Sequence, residues 1–440
     1  MKQELLKKYY DIIASLARKY LSKNKDIKII GVTGSVGKTS CRMIVAETLQ
    51  KLNKNKTIYT SPKNFNSELG LSLSILKIEK YSPSVIILLK TLFIAFYKAI
   101  FSKPDYDVLV LEYGIDHKGD MDYLLKIAEP NISIFTKLDK VHSAYFNSLD
   151  EIGDEKFKLL QNTKNTVFIN KLEEYICDKS KNLKNNLEVI FYGKEEEHYK
   201  NYNIIKNIKN NIEASFEVIL DDEIIKVNTN LIGKENIAYI ALALNIAKNL
   251  GYQVENNIII DYKLQAGRFS IFEGIKGSVL VDSSYNASPL SMKKMIENTY
   301  NLKNQIFKNH KIMLVLGDMR ELGEFSENEH KMLASSIISV ADKVITVGPE
   351  MQDFLIKELR MCNFSGEIFT FLKSNKAGEK VLEILEEDSE NKYLVLFKGS
   401  QNTIFMEESI KPVLKNYNDE SELCRQSVDW MIKKKRFFGE

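Results

Sequence analysis

Along most of the chain, short apolar runs alternate with amphipathic stretches. The runs IKIIGV (Ile27 to Val32), VLVLEY (Val108 to Tyr113) and ISIFT (Ile132 to Thr136) are continuous and rich in β-branched residues. Such runs predict parallel strands covered on both faces. Between them, helical spacing predicts helices from Cys41 to Leu52 and near Met121 to Ile127. At the front, Leu5, Tyr9, Ile12, Ile13, Leu16 and Tyr20 recur at helical spacing, so Met1 to Asn24 reads as an amphipathic helix. From about Asn201 to Asn230 the texture changes. There FEVILDDEIIKVNT predicts a hairpin turning at Asp221-Asp222. A helix follows from Asn236 to Leu250. A second βα series then begins after Gly267-Arg268, with strands over Ser278 to Ser283, Lys311 to Gly317, Lys343 to Gly348 and Tyr393 to Gly399. Alternating βα units imply doubly wound sheets. The expected fold class is therefore α/β: a doubly wound central domain over 27–268 and a smaller Rossmann-like domain over 269–440, preceded by the helix in 1–26.

Composition narrows the classes. At 440 residues the chain is long enough for roughly three domains at ~150 residues each. Lys and Arg number 62 against 59 Asp and Glu, a net charge of +3, so the chain is no wholesale binder of nucleic acid. The four cysteines form no CxxC pair, which argues against a disulfide framework or zinc site and suits a reducing cytoplasm. The opening carries charges throughout and no apolar run of the signal-peptide kind. A monomer or weak oligomer is the expectation.

One run suggests a membrane: VIILLKTLFIAFYKAIF, Val85 to Phe101. It is at the short limit for a spanning helix, and Lys90 and Lys98 interrupt it. The loop described next precedes it and an acidic strand end follows it, so a single crossing would part the two. That leaves an extra helix packed on its own domain, a helix against a partner, or an interfacial helix at the inner face of the membrane. The KKKRFF tail beside Trp430 reads as a solvated helix end, or as a contact for anionic lipid.

The sharpest chemical signal is GVTGSVGKTS, Gly31 to Ser40, between a predicted strand and helix. Phosphates need inward backbone N–H groups with no Cβ in the way, and Gly34 and Gly37 meet that need at a helix N-terminus. Lys38 is placed to neutralise the β- and γ-phosphates, and Thr39 to ligate Mg²⁺. The usual GxxxxGK[ST] spacing would require glycine at Val32, so this is a shorter variant. A GTPase reading finds DxxG at Asp116–Gly119 and [NT]KxD at Thr136–Asp139. The interval between them is too short for a GTPase, and four-residue matches are cheap.

The loop resembles that of the Mur ligases, ATP-dependent amide ligases with the Gly-x-x-Gly-Lys-Thr form. Further motifs follow in family order: Asn64-Phe-Asn66-Ser67-Glu-Leu-Gly70, Leu111-Glu112-Tyr-Gly114, Thr136 to His142, Lys156, Gly267-Arg268, Val281 to Pro289, Leu316 to Gly323 and Lys398-Gly-Ser400. The last three resemble the branch that adds D-alanyl-D-alanine to a UDP-muramyl tripeptide in peptidoglycan synthesis. The resemblance covers about residues 27 to 415. It implies a carboxylate phosphorylated by ATP, then attacked by an amine. It assigns the nucleotide to Gly34, Ser35, Gly37, Lys38, Thr39, Ser40, Asn236 (adenine), Arg268 (phosphoryl group) and Asp282 (ribose). It assigns two Mg²⁺ ions to Thr39, Glu112, His142 and a carbamylated Lys156. Substrate contacts fall to Asn64, Asn66, Ser67, Tyr285, Asn286, Lys398 and Ser400. Catalysis falls to Lys38, His142, Lys156 and Arg268.

The chain departs from the family pattern in places. Lys137 stands where asparagine is usual. Glu235 and Tyr239 replace the histidine and second asparagine of Gly-x-His-Asn-x-x-Asn. Ser283 replaces the second aspartate of a pair, and Gln401 the arginine of Lys-Gly-Ser-Arg. The stretch ahead of the phosphate loop makes a helix, where UDP-binding members carry a whole domain. This leaves open whether the acceptor is UDP-linked or lipid-linked. Two rival functions follow: a glutamate-adding ligase of the folylpolyglutamate or poly-γ-glutamate type, and an ATP-binding scaffold without catalysis.

Overall fold

The computed structural model describes residues 2–62, 65–79, 81, 84–139, 146, 148–207, 211–263, 265–401 and 403–439. The chain divides into two compact units: 1–138, 145–202 and 214–262 in the first, and 263–440 with 139–144 and 203–213 in the second.

The first unit is built on a six-stranded parallel sheet. Its strands are β1 (Lys28–Thr33), β2 (Ile58–Thr60), β3 (Val108–Glu112), β4 (Ile132–Phe135), β5 (Thr166–Asn170) and β6 (Glu188–Tyr192). Their order is β2-β3-β1-β4-β5-β6. β1, β3, β4 and β5 are buried almost throughout, as continuous apolar runs demand of a sheet covered on both faces. The helices are α1 (Lys2–Leu21), α2 (Lys38–Leu52), α3 (Glu68–Ile75), α4 (Val85–Phe101), α5 (Asp120–Ile127), α6 (Leu149–Gln161), α7 (Glu174–Ser180) and α8 (Lys234–Asn249). α2 starts at Lys38, ahead of the expected Cys41, because Gly37 turns the chain directly from the loop into the helix.

A four-stranded sheet follows, in the order β10-β9-β8-β7: β7 (Tyr199–Lys206), β8 (Ile212–Leu220), β9 (Glu223–Thr229) and β10 (Asn257–Ile259). β8 and β9 form the expected hairpin, and Asp221 takes a left-handed φ of 50° at its turn.

The second unit has six strands: β11 (Ser270–Glu273), β12 (Val279–Ser283), β13 (His310–Gly317), β14 (Lys343–Val347), β15 (Glu367–Phe371) and β16 (Lys392–Lys398). Their order is β11-β12-β16-β13-β14-β15, parallel except for β11 at the edge. α9 (Pro289–Gln305) begins with a capping box at Ser288, whose hydroxyl accepts from Ser291 N while the Ser291 hydroxyl bonds back to Ser288 N. α10 (Ser326–Met332), α11 (Ala334–Ile337), α12 (Ile356–Met361), α13 (Ser374–Glu387) and α14 (Val428–Phe438) complete the unit.

β1 and β3 are direct neighbours in register, Lys28 opposite Val108 through Val32 opposite Glu112. The phosphate loop and Glu112 therefore leave the same edge of one sheet. Among the described residues no helix is long and apolar enough to cross a membrane.

Candidate active site

At the C-terminal ends of β1 and β3, where ligands sit in open α/β sheets, the first unit gathers its chemistry. Gly34 has φ 135° and Gly37 φ 86°. A Cβ at Gly34 would lie 2.1 Å from Thr136 Oγ1, and one at Gly37 would lie 2.0 Å from Tyr239 Oη. Both positions thus require glycine on conformation and on space. The loop is anchored by Ser35 N, which donates to Lys137 O at 2.6 Å. The Lys38 ammonium donates to Gly34 O and Ser35 O, each at 2.9 Å, so it curls back over the loop. These features fit a polyphosphate: a backbone cradle at the start of α2 with one lysine above it.

Thr39 follows in the first turn of α2, and its hydroxyl donates to Glu112 Oε2 at 3.0 Å. Asn66, just before α3, donates to Glu112 Oε1 at 3.0 Å. Arg42 Nε lies 3.4 Å from Oε2 of the same carboxylate, both side chains being 2 % exposed. Arg42 also donates to Thr60 Oγ1 and Ser61 O, each at 2.5 Å. The sequence did not single out Arg42. Its clue lay in α2 itself, where Thr39, Cys41, Ile44 and Val45 are all buried and leave residue 42 no route to solvent.

Lys156 is 1 % exposed on α6, where an amphipathic helix would ordinarily present a lysine to water. Burial, then the nearby Lys38 cation, pulls its ammonium well below the ordinary lysine range, while Asp116, Glu112 and Glu155 act the other way. Those neighbours place Lys156 in the electrostatic field of Lys38 on the phosphate loop and of the Glu112 carboxylate. Glu155 is committed elsewhere: Oε1 accepts from Gly119 N at 2.9 Å and Met121 N at 3.1 Å, capping α5. At Asp116–Gly119 the DxxG match proves to be a helix start, with Asp116 N and His117 N donating to Asp120 Oδ2 at 2.9 and 2.7 Å. That is local capping and lends the GTPase reading no support.

Asn64 and His142 lie outside the described residues. Among the described residues no group of three or more His, Cys, Asp or Glu is assembled as a metal site. Ser40 continues α2 behind Thr39, and Ser67 is the residue before α3. Asn236, expected at the adenine, donates to Ile232 O at 2.8 Å within the first turn of α8.

Two of the departures from the family pattern pair with each other, and a third packs against the phosphate loop. Lys137 Nζ pairs with Glu235 Oε1 at 3.2 Å in a largely buried ion pair. Tyr239, 2 % exposed, puts its hydroxyl directly against Gly37. The replacements of asparagine, histidine and asparagine thus form a self-consistent packing beneath the loop.

In the second unit, Gly267 turns the chain at φ 74° and its carbonyl accepts from Tyr285 N at 3.1 Å. The Arg268 guanidinium stacks 4.4 Å from the centre of the Tyr285 ring. Lys398, 3 % exposed, donates to Asn286 O at 2.8 Å. Burial, then Arg268, pulls its ammonium down to about 7. Ser400 Oγ accepts from Arg320 N at 2.9 Å, and Asn286 Oδ1 accepts from Gln401 N at 3.2 Å. Arg425 adds bonds to Ser284 O and Tyr285 O at 2.8 and 3.0 Å. The turn from Ser283 to Ala287 is therefore clamped from several sides. Gln401 serves it through its backbone amide, which any side chain supplies.

Asp282, expected at the ribose hydroxyls, is buried at the end of β12, and burial pushes its carboxyl up to about 6. Oδ1 accepts from Ser284 N at 2.9 Å, and Oδ2 has no hydrogen-bond partner.

Comparison with known proteins gives a consistent picture. The family model described as the Mur ligase middle domain matches residues 32–247, and the one described as the Mur ligase, glutamate ligase domain matches 267–401. The UDP-N-acetylmuramoyl-tripeptide–D-alanyl-D-alanine ligase of Bacillus subtilis is 24% identical over 410 residues, covering 92% of this chain and 79% of that protein. The Borreliella burgdorferi enzyme of the same name is 27% identical over 341 residues, 76% of this chain and 65% of its own. Among solved structures, MurF ligase from Thermotoga maritima in complex with ADP superposes with a TM-score of 0.70 at 24% identity. It covers 93% of this chain and 84% of that one.

Proposed function

The chain belongs to the Mur ligase family, and from that premise we propose that it joins D-alanyl-D-alanine to the peptide carboxylate of a muramoyl tripeptide. That it is an ATP-dependent amide-forming ligase follows from the family itself. The dipeptide and the muramoyl acceptor are supported by the printed activity of the relatives and by the Tyr285-Asn286 and Gly317-Asp318-Met319 segments, which favour this branch over glutamate-adding ligases.

The reading assigns roles as follows. The amides of residues 34–39 and the Lys38 ammonium hold the ATP phosphates. A carboxylate oxygen of the acceptor attacks the γ-phosphorus and ADP leaves, giving an acyl phosphate. The dipeptide amine then attacks the carbonyl carbon, and phosphate departs with the acceptor's oxygen. Arg268 supplies the guanidinium that stabilises the transferring phosphoryl group. Asn66 and Arg42 orient Glu112, and Asp282 shapes the turn after β12.

The Thr39 hydroxyl and Glu112 carboxylate are hard oxygen donors and fit magnesium, with His142 expected to join them. When bound, magnesium neutralises phosphate charge and orients the leaving oxygen. Lys156 is read as a carbamylation site. Its depressed ammonium yields a neutral amine, which adds to CO₂ and loses a proton to leave a carbamate. That converts a buried cation into an oxygen donor.

The observation that carries this reading is the buried Lys156 in the field of Lys38 and Glu112, a placement that a nucleotide-binding scaffold gains nothing from. The Lys137–Glu235 ion pair also argues against decay, which would leave replacements uncoordinated. The test is ADP release with Mg²⁺ and bicarbonate, with UDP-muramyl tripeptide and D-alanyl-D-alanine added singly and together. The reading expects release only with both, abolished in Lys38→Ala. Release with glutamate instead of the dipeptide would reject it.

A further inference from the structure

α4 is amphipathic in the reverse of the usual sense. Its buried positions are the small residues Thr91, Ala95 and Ala99, one helical turn apart. Its outward face carries Ile86, Leu89, Phe93, Phe96, Tyr97 and Phe101, from 51% to 78% exposed. A soluble helix normally turns bulky apolar side chains inward, and a contiguous exposed apolar face marks an interaction surface.

This orientation is fixed by polar contacts on the inner side. Tyr9 Oη donates to Leu88 O at 3.0 Å, and Tyr20 Oη to Lys103 O at 3.0 Å. Lys23 caps the end of α4, donating to Ile100 O and Ser102 O at 2.9 and 2.8 Å. Lys98 turns inward to Leu76 O at 2.7 Å. The helix is pinned to α1 and to the end of α3 with its aromatic face outward, so rolling that face inward would break each of these bonds.

The charge around the face selects the occupant. From Ser84 to Lys103 the chain carries the exposed Lys90 and Lys103, with Lys98 turned inward, and neither Asp nor Glu. Lys90 sits on the exposed face itself. The adjoining α1 is mixed: exposed Leu5 and Ile12 accompany Lys8 and Lys19, with Glu4 and Asp11 also exposed. A second copy would set Lys90 and Lys103 against their own kind. A lipid surface with anionic headgroups accepts both features, since Phe and Tyr favour the headgroup boundary and Lys the negative surface. At 17 residues, α4 is about 26 Å long, short of the ~30 Å hydrocarbon core, which suits lying in the interface rather than crossing it.

We propose that the outward face of α4 is a peripheral docking surface for anionic membrane lipid, holding the ligase at the bilayer with the helix in the headgroup plane. This goes beyond the ligase reading and stands apart from it, because binding is read without substrate or ATP.

The experiment sediments the full-length chain with vesicles of phosphatidylcholine alone, or with about one third phosphatidylglycerol, at low salt and at roughly 0.5 M salt. The Phe93→Gln/Phe101→Gln double variant and Lys90→Glu run beside it. Thermal melting and ATP turnover check that each variant is folded. The wild type is expected to bind the anionic vesicles, less at high salt. The double variant should lose at least ~10-fold in partitioning, and Lys90→Glu a smaller factor. Folded wild-type protein that sediments with neither vesicle overturns the proposal. So does binding undiminished in the double variant, or a dimer that the double variant abolishes while no vesicle is bound.

Discussion

Thr39 and Asn66 hold the two oxygens of one carboxylate: Thr39 donates to Oε2 of Glu112 and Asn66 to Oε1, each at 3.0 Å. Arg42 stands 3.4 Å from Oε2, so Glu112 is tied to the phosphate-loop helix and to the loop before α3 at once. In Glu112→Gln the shape is kept and the charge lost, leaving the Arg42 guanidinium buried without its counter-charge. The expected outcome is a fall in kcat of about 10²–10³-fold and a loss of ~3–5 kcal/mol in stability. Turnover and urea unfolding check the two separately. Asn66→Ala should reduce turnover with a smaller stability loss, since no charge is stranded.

The carbamate proposed on Lys156 predicts that activity depends on dissolved CO₂. The lowered ammonium pKa of Lys156 means the neutral amine appears at a lower pH than for an exposed lysine. Enzyme stripped of bicarbonate should lose most of its turnover and recover on adding it back. Lys156→Arg should be inactive and unresponsive to bicarbonate. A carbamate signal from ¹³C-labelled CO₂, absent in the variant, would identify the adduct directly.

Gly37 and Tyr239 are coupled through space. Gly37→Ala sets a Cβ against Tyr239 Oη at a positive φ of 86°. The substitution should cost about 1–3 kcal/mol and weaken ATP binding. In a Tyr239→Phe background the hydroxyl is gone, leaving the backbone strain and a tight 3.0 Å approach to Cζ, so the cost should fall by roughly 1 kcal/mol. Thermal unfolding of the four proteins in the cycle measures the difference.

Lys398 gives the second unit a pH signature. Its folded pKa is lowered from the usual lysine value of 10.5 to about 7. The unfolded chain therefore binds more protons between those values, and stability contributed by the neutral form is lost as pH falls through about 7. Wild-type stability should rise from pH 7 to pH 9, and Lys398→Met should flatten that slope. Asp282 acts in a lower window. Its folded pKa is raised from 3.8 to about 6, so its contribution is full below the unfolded value and lost as pH rises through about 6. Asp282→Asn should flatten the acid side of the profile.

Much of the fold was legible where one signal dominated. β1, β3 and β4 are continuous apolar runs, and α4 begins and ends where its apolar run does. The edge strands β6 and β15, EVIFY and EIFTF, were not foreseen. Each is short, opens on a charge and is only partly buried, so neither periodicity nor an apolar run announces it. The phosphate loop was legible because its chemistry requires local spacing. The burial of Lys156 was not, although Ile152, Leu159 and Leu160 mark an inward arc of α6 that passes through residue 156. The burial of Asp282 was not legible either, because a carboxylate at a strand end can face either solvent or the turn it caps, and only packing decides.

The central claim is that ATP activates a peptide carboxylate as an acyl phosphate for attack by an amine. Muramyl tripeptide labelled with ¹⁸O in the acceptor carboxylate tests it most directly. The account predicts one ¹⁸O in the released inorganic phosphate for each amide formed, with ADP as the nucleotide product and no turnover in Lys38→Ala. Unlabelled phosphate, or AMP with pyrophosphate in place of ADP, would contradict it.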